Sequence, residues 1–226
     1  AGIEDQGLIE FQSVLNSQPD DHHMRLNIAN DMLAMKLFEQ ALENFNVVLQ
    51  AQPSSAQASI GKATSLLKLD RDDEAKAIAI KLSANTETKA DGYYVLGKIA
   101  LKQEKYTEAI LRLTRASKVN PENIDAWVSM ANAYIELNKP DKAMTGLIQG
   151  IKTNPESFDL QLLAGQIELN QENYNEATQY LDKSVSLNAQ SLLANTLYAK
   201  NLFATRNFRS ASSYAERAAK IAPKDV

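Results

Sequence analysis

Five of the six prolines of this chain, Pro19, Pro53, Pro121, Pro155 and Pro223, stand 34, 68, 34 and 68 residues apart. Every gap is one or two units of 34 residues. A fixed period of this size is the mark of a repeat architecture, in which like units stack and each contacts only its neighbours. When each repeat is counted so that its closing proline is position 32, six repeats begin at His22, Ala56, Ala90, Ile124, Phe158 and Leu192, with no insertion or deletion. The predicted organisation is a half repeat over 1–21, then full repeats over 22–55, 56–89, 90–123, 124–157, 158–191 and 192–226, forming one continuous solenoid.

The register explains the residue types. Position 20 is alanine in all six repeats: Ala41, Ala75, Ala109, Ala143, Ala177 and Ala211. Position 8 is always small: Ala29, Ala63, Gly97, Ala131, Gly165 and Ala199. Small residues at both places let two helix backbones cross closely, and apolar residues at positions 24 and 27 fill the space beside the crossing. Within the fourth repeat Trp127, Met130, Ala131 and Tyr134 follow i, i+3, i+4, i+7, one stripe of a helix. Ala143, Leu147 and Gly150 make the matching stripe on a second helix. Pro140 suits the first turn of that helix, and the Asn120-Pro121 and Asn154-Pro155 steps end the second helix of their repeats. Each repeat therefore reads as a helix–turn–helix of about 14 residues per helix.

The pattern resembles the tetratricopeptide repeat family. The fourth repeat carries the motif in Trp127, Met130, Ala131, Tyr134, Ala143, Leu147 and Pro155. The third carries it in Tyr93, Leu96, Gly97, Tyr106, Ala109, Leu113, Ala116 and Pro121. The resemblance implies an all-α, right-handed superhelical solenoid of antiparallel helix pairs. It also implies a non-catalytic scaffold that binds a peptide or helix of a partner protein along its concave face. In bacteria such scaffolds serve secretion, pilus, envelope or polysaccharide assembly.

Two repeats depart from the pattern. In the second, Lys62 replaces the apolar residue at position 7, Asp72 the aromatic at 17 and Glu87 the proline at 32, which marks it as a candidate soft joint. The fifth has Glu168 at position 11 and Ala189 at position 32. The half repeat places Phe11 at position 24, Val14 at 27 and Pro19 at 32. Ends without polar capping helices suggest a fragment of a longer array, or ends that pack on another copy or domain.

In this architecture the first helix of each repeat lines the concave face, at positions 2, 5, 9 and 12. Position 12 is apolar throughout: Leu33, Leu67, Leu101, Ile135, Leu169 and Phe203. Position 5 carries Leu26, Ile60, Tyr94, Val128, Leu162 and Thr196. Position 9 is polar: Asn30, Thr64, Lys98, Asn132, Gln166 and Lys200. The expected groove has two apolar rails with a hydrogen-bonding row between them, suited to an extended or helical peptide. Its candidate residues are Leu26, Asn30, Leu33, Tyr94, Lys98, Leu101, Val128, Asn132, Ile135, Leu162, Gln166, Leu169, Lys200 and Phe203. The alternative is that position 12 is core between adjacent helices. Only Asn30 fits the lysine–arginine–asparagine clamp of chaperone-binding relatives, and only Asn30 and Asn132 fit the asparagine ladder of those attached to sugar transferases. Asp91, Asp125 and Asp159 repeat at position 2, either as an acidic stripe or as acids favoured by the helix dipole.

Net charge is −4, from 24 basic and 28 acidic residues, with no basic face for nucleic acid. There is no cysteine, hence no disulfide and no thiolate metal site. The absence of cysteine fits a cytoplasmic or a periplasmic address alike. No apolar run reaches membrane-spanning length, and no signal peptide is evident. His22 and His23, the only histidines, are adjacent and read as solvated surface; Asp72 and Asp73 read as caps of the following helix. No catalytic, metal-binding or cofactor motif is present. Two further roles remain open: a structural solenoid that self-assembles into homo-oligomers, and the recruiting segment of a larger enzyme.

Overall fold

The computed structural model describes residues 2–222, with side chains from residue 9 onward; Pro223 lies outside the described residues. Among them there are thirteen α-helices and no strand. They are α1 (Gly2–Ser17), α2 (His22–Ala34), α3 (Phe38–Ala51), α4 (Ala56–Lys68), α5 (Asp72–Ala84), α6 (Lys89–Lys102), α7 (Tyr106–Val119), α8 (Ile124–Glu136), α9 (Pro140–Thr153), α10 (Phe158–Asn170), α11 (Tyr174–Leu187), α12 (Leu192–Ala204) and α13 (Phe208–Ile221). No described helix is long and apolar enough to cross a membrane. The helices form two compact units, Ala1–Lys105 with α1–α6 and Tyr106–Val226 with α7–α13. In the first unit each helix from α1 to α6 packs on the next, and α2, α4 and α6 form an inner layer of successive contacts. In the second unit α7 to α13 pack in the same order, and α8, α10 and α12 make the inner layer. This is the all-α solenoid architecture, built separately in each unit.

Local chemistry starts and stops each helix. Asp21, Ser55, Asn123, Ser157 and Ser191 accept a hydrogen bond from a backbone N–H in the first turn of α2, α4, α8, α10 and α12. Lys89 occupies the equivalent place before Ala90, has no such acceptor, and is itself the first residue of α6. Pro140 opens α9 at its first turn.

The turn inside each helix pair holds a feature the sequence conceals. Lys36, Asp70, Glu104, Asn138, Glu172 and Arg206 all have φ between 56° and 64°. The following residue donates across the turn to the carbonyl five residues back: Leu37 to Met32, Arg71 to Leu66, Lys105 to Ala100, Lys139 to Tyr134, Asn173 to Glu168 and Asn207 to Leu202. This is the Schellman closure with its left-handed residue. None of the six is glycine, so no glycine in the sequence announces the turn.

The rows of small residues are buried at the crossings. Position 20 is almost wholly buried in every repeat, as is position 8. A Cβ added at Gly165 would stand 2.7 Å from Leu181 Cδ2, so the missing side chain is what lets α11 approach α10. Phe45, Leu113, Leu147 and Leu181 at position 24 are wholly buried beside the crossings. Three expectations are corrected. On α1 the inward residue is Leu15, 5% exposed, and Val14 is 39% exposed; Leu15 packs with Leu26 and Met32 of α2. Asp72 and Asp73 lie inside the first turn of α5 and make no capping bond; Asp72 instead pairs with Lys102 Nζ at 2.8 Å, which also meets Asp70 at 2.5 Å. His22 is half-buried with Nδ1 enclosed and unbonded, and only His23 is exposed.

Candidate functional site: the groove between α8 and α10

In the second unit the inner stripes of α8 and α10 enclose two adjoining clefts of about 420 and 470 Å3 that share Asn132, Leu163 and Gln166. Val128, Leu162 and Leu163 are half-buried and supply apolar surface. Ile135, 39% exposed, and Ile167 supply it in the other cleft. Asn132 and Gln166 line both clefts between these patches, and their amides can donate to and accept from a peptide backbone. Asn138, Asn170 and Gln171 add amides at the end near Pro140, where Gln171 Nε2 also donates to Asp141 at 2.9 Å. At the opposite end Asp125 and Asp159 line the cleft, and no lysine or arginine lines either cleft. Both aspartates also lie in the first turn of their helices. The helix dipole holds them there, and the first-turn position is also the mouth of the groove.

The expected groove is thus only partly assembled as the sequence implied. Val128, Asn132, Ile135, Leu162 and Gln166 come together. Leu169 does not: it is 4% exposed and sits in the core with Leu181, Tyr198 and Leu202. Position 12 of that repeat is core because α12 covers it. Lys200 and Phe203 lie exposed on α12 outside these clefts, and the Phe203 ring meets Phe208 edge-on at 5.4 Å. In the first unit Leu26 is 8% exposed and belongs to the core with Leu15 and Phe45, because α1 closes over it. Leu33 and Tyr94 are half-buried against their core clusters, Lys98 and Leu101 are half-buried, and Asn30 is exposed. Leu163 and the amides of Asn138, Asn170 and Gln171 were missed. Leu163 is at position 6, which a strict inner stripe omits, although it adjoins Leu162 on the same helix.

Ionisation at the inner face shows in the first unit. Burial pushes the Asp91 carboxyl above its ordinary value, opposed by a backbone hydrogen bond. In the second, burial pushes the Tyr198 hydroxyl up, and its hydrogen bond to Asp182 at 3.0 Å adds to the shift.

Family models of the tetratricopeptide repeat match residues 100–167 and 158–191. No curated protein matches the chain. Solved structures share the fold. The pilF protein of Pseudomonas aeruginosa matches with a TM-score of 0.74 at 20% identity, over 92% of this chain and 95% of that one. TTC0263, a thermophilic TPR protein of Thermus thermophilus, matches with a TM-score of 0.66 at 21% identity, over 80% of this chain and 99% of that one. YrrB, a TPR protein with an unusual peptide-binding site, matches with a TM-score of 0.52 at 26% identity, over 85% of this chain and 98% of that one. With the 34-residue register, the paired helices and these matches all in agreement, the chain is a tetratricopeptide repeat protein.

Proposed function

We propose that the protein is a non-catalytic scaffold that holds a short segment of a partner protein in the α8–α10 groove. The tetratricopeptide fold supports a protein–protein interaction scaffold in general. The groove narrows that to a chemistry. From Asp125 to Ile135 the α8 stripe runs about 15 Å at 1.5 Å per residue, room for roughly four or five residues of extended chain. Apolar side chains of the segment seat on Val128, Leu162, Leu163 and Ile135. Asn132 and Gln166 bond its backbone, and a lysine or arginine at one end meets Asp125 and Asp159. The observation that carries the reading is this last one: a groove with carboxylates at one mouth and no basic residue along it. YrrB, with its unusual peptide-binding site, supports peptide binding as a use of this fold.

A random peptide library selected on the whole chain tests the proposal. The expected result is enrichment of short segments that pair apolar residues with a flanking basic one. Binding should weaken roughly tenfold in Asn132→Ala and in Asp125→Asn/Asp159→Asn, each a loss of about 1.4 kcal/mol. Selection of no sequence, or peptides held equally by these variants, rejects it.

A further inference from the structure

The second repeat departs from the others at two places, positions 7 and 4, that converge on one cleft in the first unit, and a lysine without an acidic neighbour stands beside them. This cleft, about 360 Å3, lies where the turn before α4 meets the end of α5. At position 7, five repeats bury Ile28, Leu96, Met130, Ala164 or Tyr198, whereas the second has the half-buried Lys62. At position 4, Arg25, Trp127, Gln161 and Asn195 each reach back to the carbonyl at position 32 of the preceding repeat. These bonds go to Pro19 at 3.3 Å, Pro121 at 2.9 Å, Pro155 at 3.0 Å and Ala189 at 3.0 Å. The second repeat has Ser59, too short to span that gap, and the space stays open beside Pro53.

Charge adds to these two departures. Lys183, at position 26 of the fifth repeat, is neutralised by Glu156 of the preceding turn at 2.7 Å. The same pair of positions in the second repeat holds Lys81 and Ser54, so the lysine is present and its carboxylate is not. A cation without an acid at these positions also occurs in Arg115 with Thr88 and Arg217 with Gln190. Neither Lys62 nor Lys81 forms an ion pair among the described residues, and no acidic residue lines the cleft; the charge acting on Lys62 is that of Glu74, outside the lining and bonded to Arg71. Two cations thus face an open space in a chain whose net charge is −4. The floor between them is aliphatic: Leu49, Ile78 and Leu82.

We propose that this cleft is a carboxylate-binding site for an acidic group on a short aliphatic stem, in which the ligand supplies the counter-ion that Glu156 supplies internally in the fifth repeat. The carboxylate lies between the Lys62 and Lys81 ammonium groups, with the Ser54 and Ser59 hydroxyls as further donors. The stem covers Leu49, Ile78 and Leu82. A small organic acid and the acidic side chain of a peptide share this chemistry. The volume admits either and is too small for a helix. The site is separate from the α8–α10 groove, and neither proposal depends on the other.

The test is a titration of the isotopically labelled whole chain, followed by nuclear magnetic resonance, with hexanoate, hexanamide and the peptide acetyl-Leu-Glu-amide. Hexanoate or the peptide should shift the amides of Ser54, Ser59 and Asn85 and the side-chain signals of both lysines, with a dissociation constant on the order of millimolar, and hexanamide should not. The tighter of the two acids identifies the source of the ligand. Ser54→Glu builds the internal pair seen at Glu156–Lys183 and should weaken hexanoate roughly tenfold, as should Lys81→Gln, with both variants as helical as the native chain. Equal shifts from hexanoate and hexanamide, or undiminished binding by both variants, overturn the proposal.

Discussion

Two glycines show how much a single missing side chain can matter, and how differently. A Cβ on Gly92 would stand 2.3 Å from Ser83 N and 2.7 Å from Ala79 O, backbone atoms of α5 that cannot step aside. One on Gly146 would meet only Met130 Cε, at 2.6 Å, the free end of a flexible chain. Alanine favours a helix over glycine by about 1 kcal/mol, so the two substitutions should part company. Gly92→Ala should cost roughly 3 kcal/mol in chemical denaturation, while Gly146→Ala should stay within about 1 kcal/mol of the native chain. Beside Gly92, Asp91 makes a pH-dependent contribution. Burial raises its carboxyl above the ordinary value of 3.8, so the folded chain binds more protons than the unfolded one between the two values. Stability therefore falls as pH rises through that window, and the penalty is complete above the folded value. Asp91→Asn should stabilise the protein at pH 7, and the gain over the native chain should disappear below pH 3.8. A gain that persists unchanged in acid would mean that the carboxyl is not the cause.

At the scale of the helix, the six left-handed turn residues define a cost the chain carries at every helix pair. A non-glycine residue at positive φ is strained by about 1–2 kcal/mol relative to glycine, less the greater entropy glycine loses on folding. Glu172→Gly should thus raise stability by roughly 1 kcal/mol, and Asn138→Gly should raise it less, because asparagine tolerates this conformation. Equal effects in thermal melts of both variants would refute the strain argument. The same scale separates what the sequence reveals from what it hides. Helix pairing was legible because backbone crossings require small residues at fixed intervals, and alanine at position 20 is visible without coordinates. The groove was half legible. Residues at positions 5 and 12 share a stripe on their own helix, but their exposure is decided by what the neighbouring helix lays over them. Leu169 is covered from α12 and Ile135 is not, a difference that no periodicity within α8 or α10 contains. Likewise Lys62 reads as mere weakness in the motif, and Ser59 carries no signal of its own, because the cleft they open exists only once α3, α4 and α5 are packed.

Across the molecule, within each unit, every helix contact is with the next helix or the next but one. Stability in such a stack is a sum of local repeat terms and nearest-neighbour interfaces, so damage should stay local instead of spreading through a single cooperative core. Leu181 is a direct probe. It is wholly buried on α11, shares its cluster with Tyr198 and Leu202 of α12, and packs beside Gly165 of α10. Truncation to alanine should cost about 2–5 kcal/mol of local stability, since it removes buried methyl groups at a site that α10 and α12 cannot close without moving. Native-state hydrogen exchange should then quicken in α10, α11 and α12. The amides of α7, which touches α8 but not α11, should keep their native rates. The groove between α8 and α10 lies at the border of the affected region. The variant should hence lose affinity for a groove ligand through loosening of α10, although Leu181 itself lines neither cleft. Acceleration of equal size in α7 and α11 would show instead that the second unit unfolds as one body, and the nearest-neighbour account of its stability would fail.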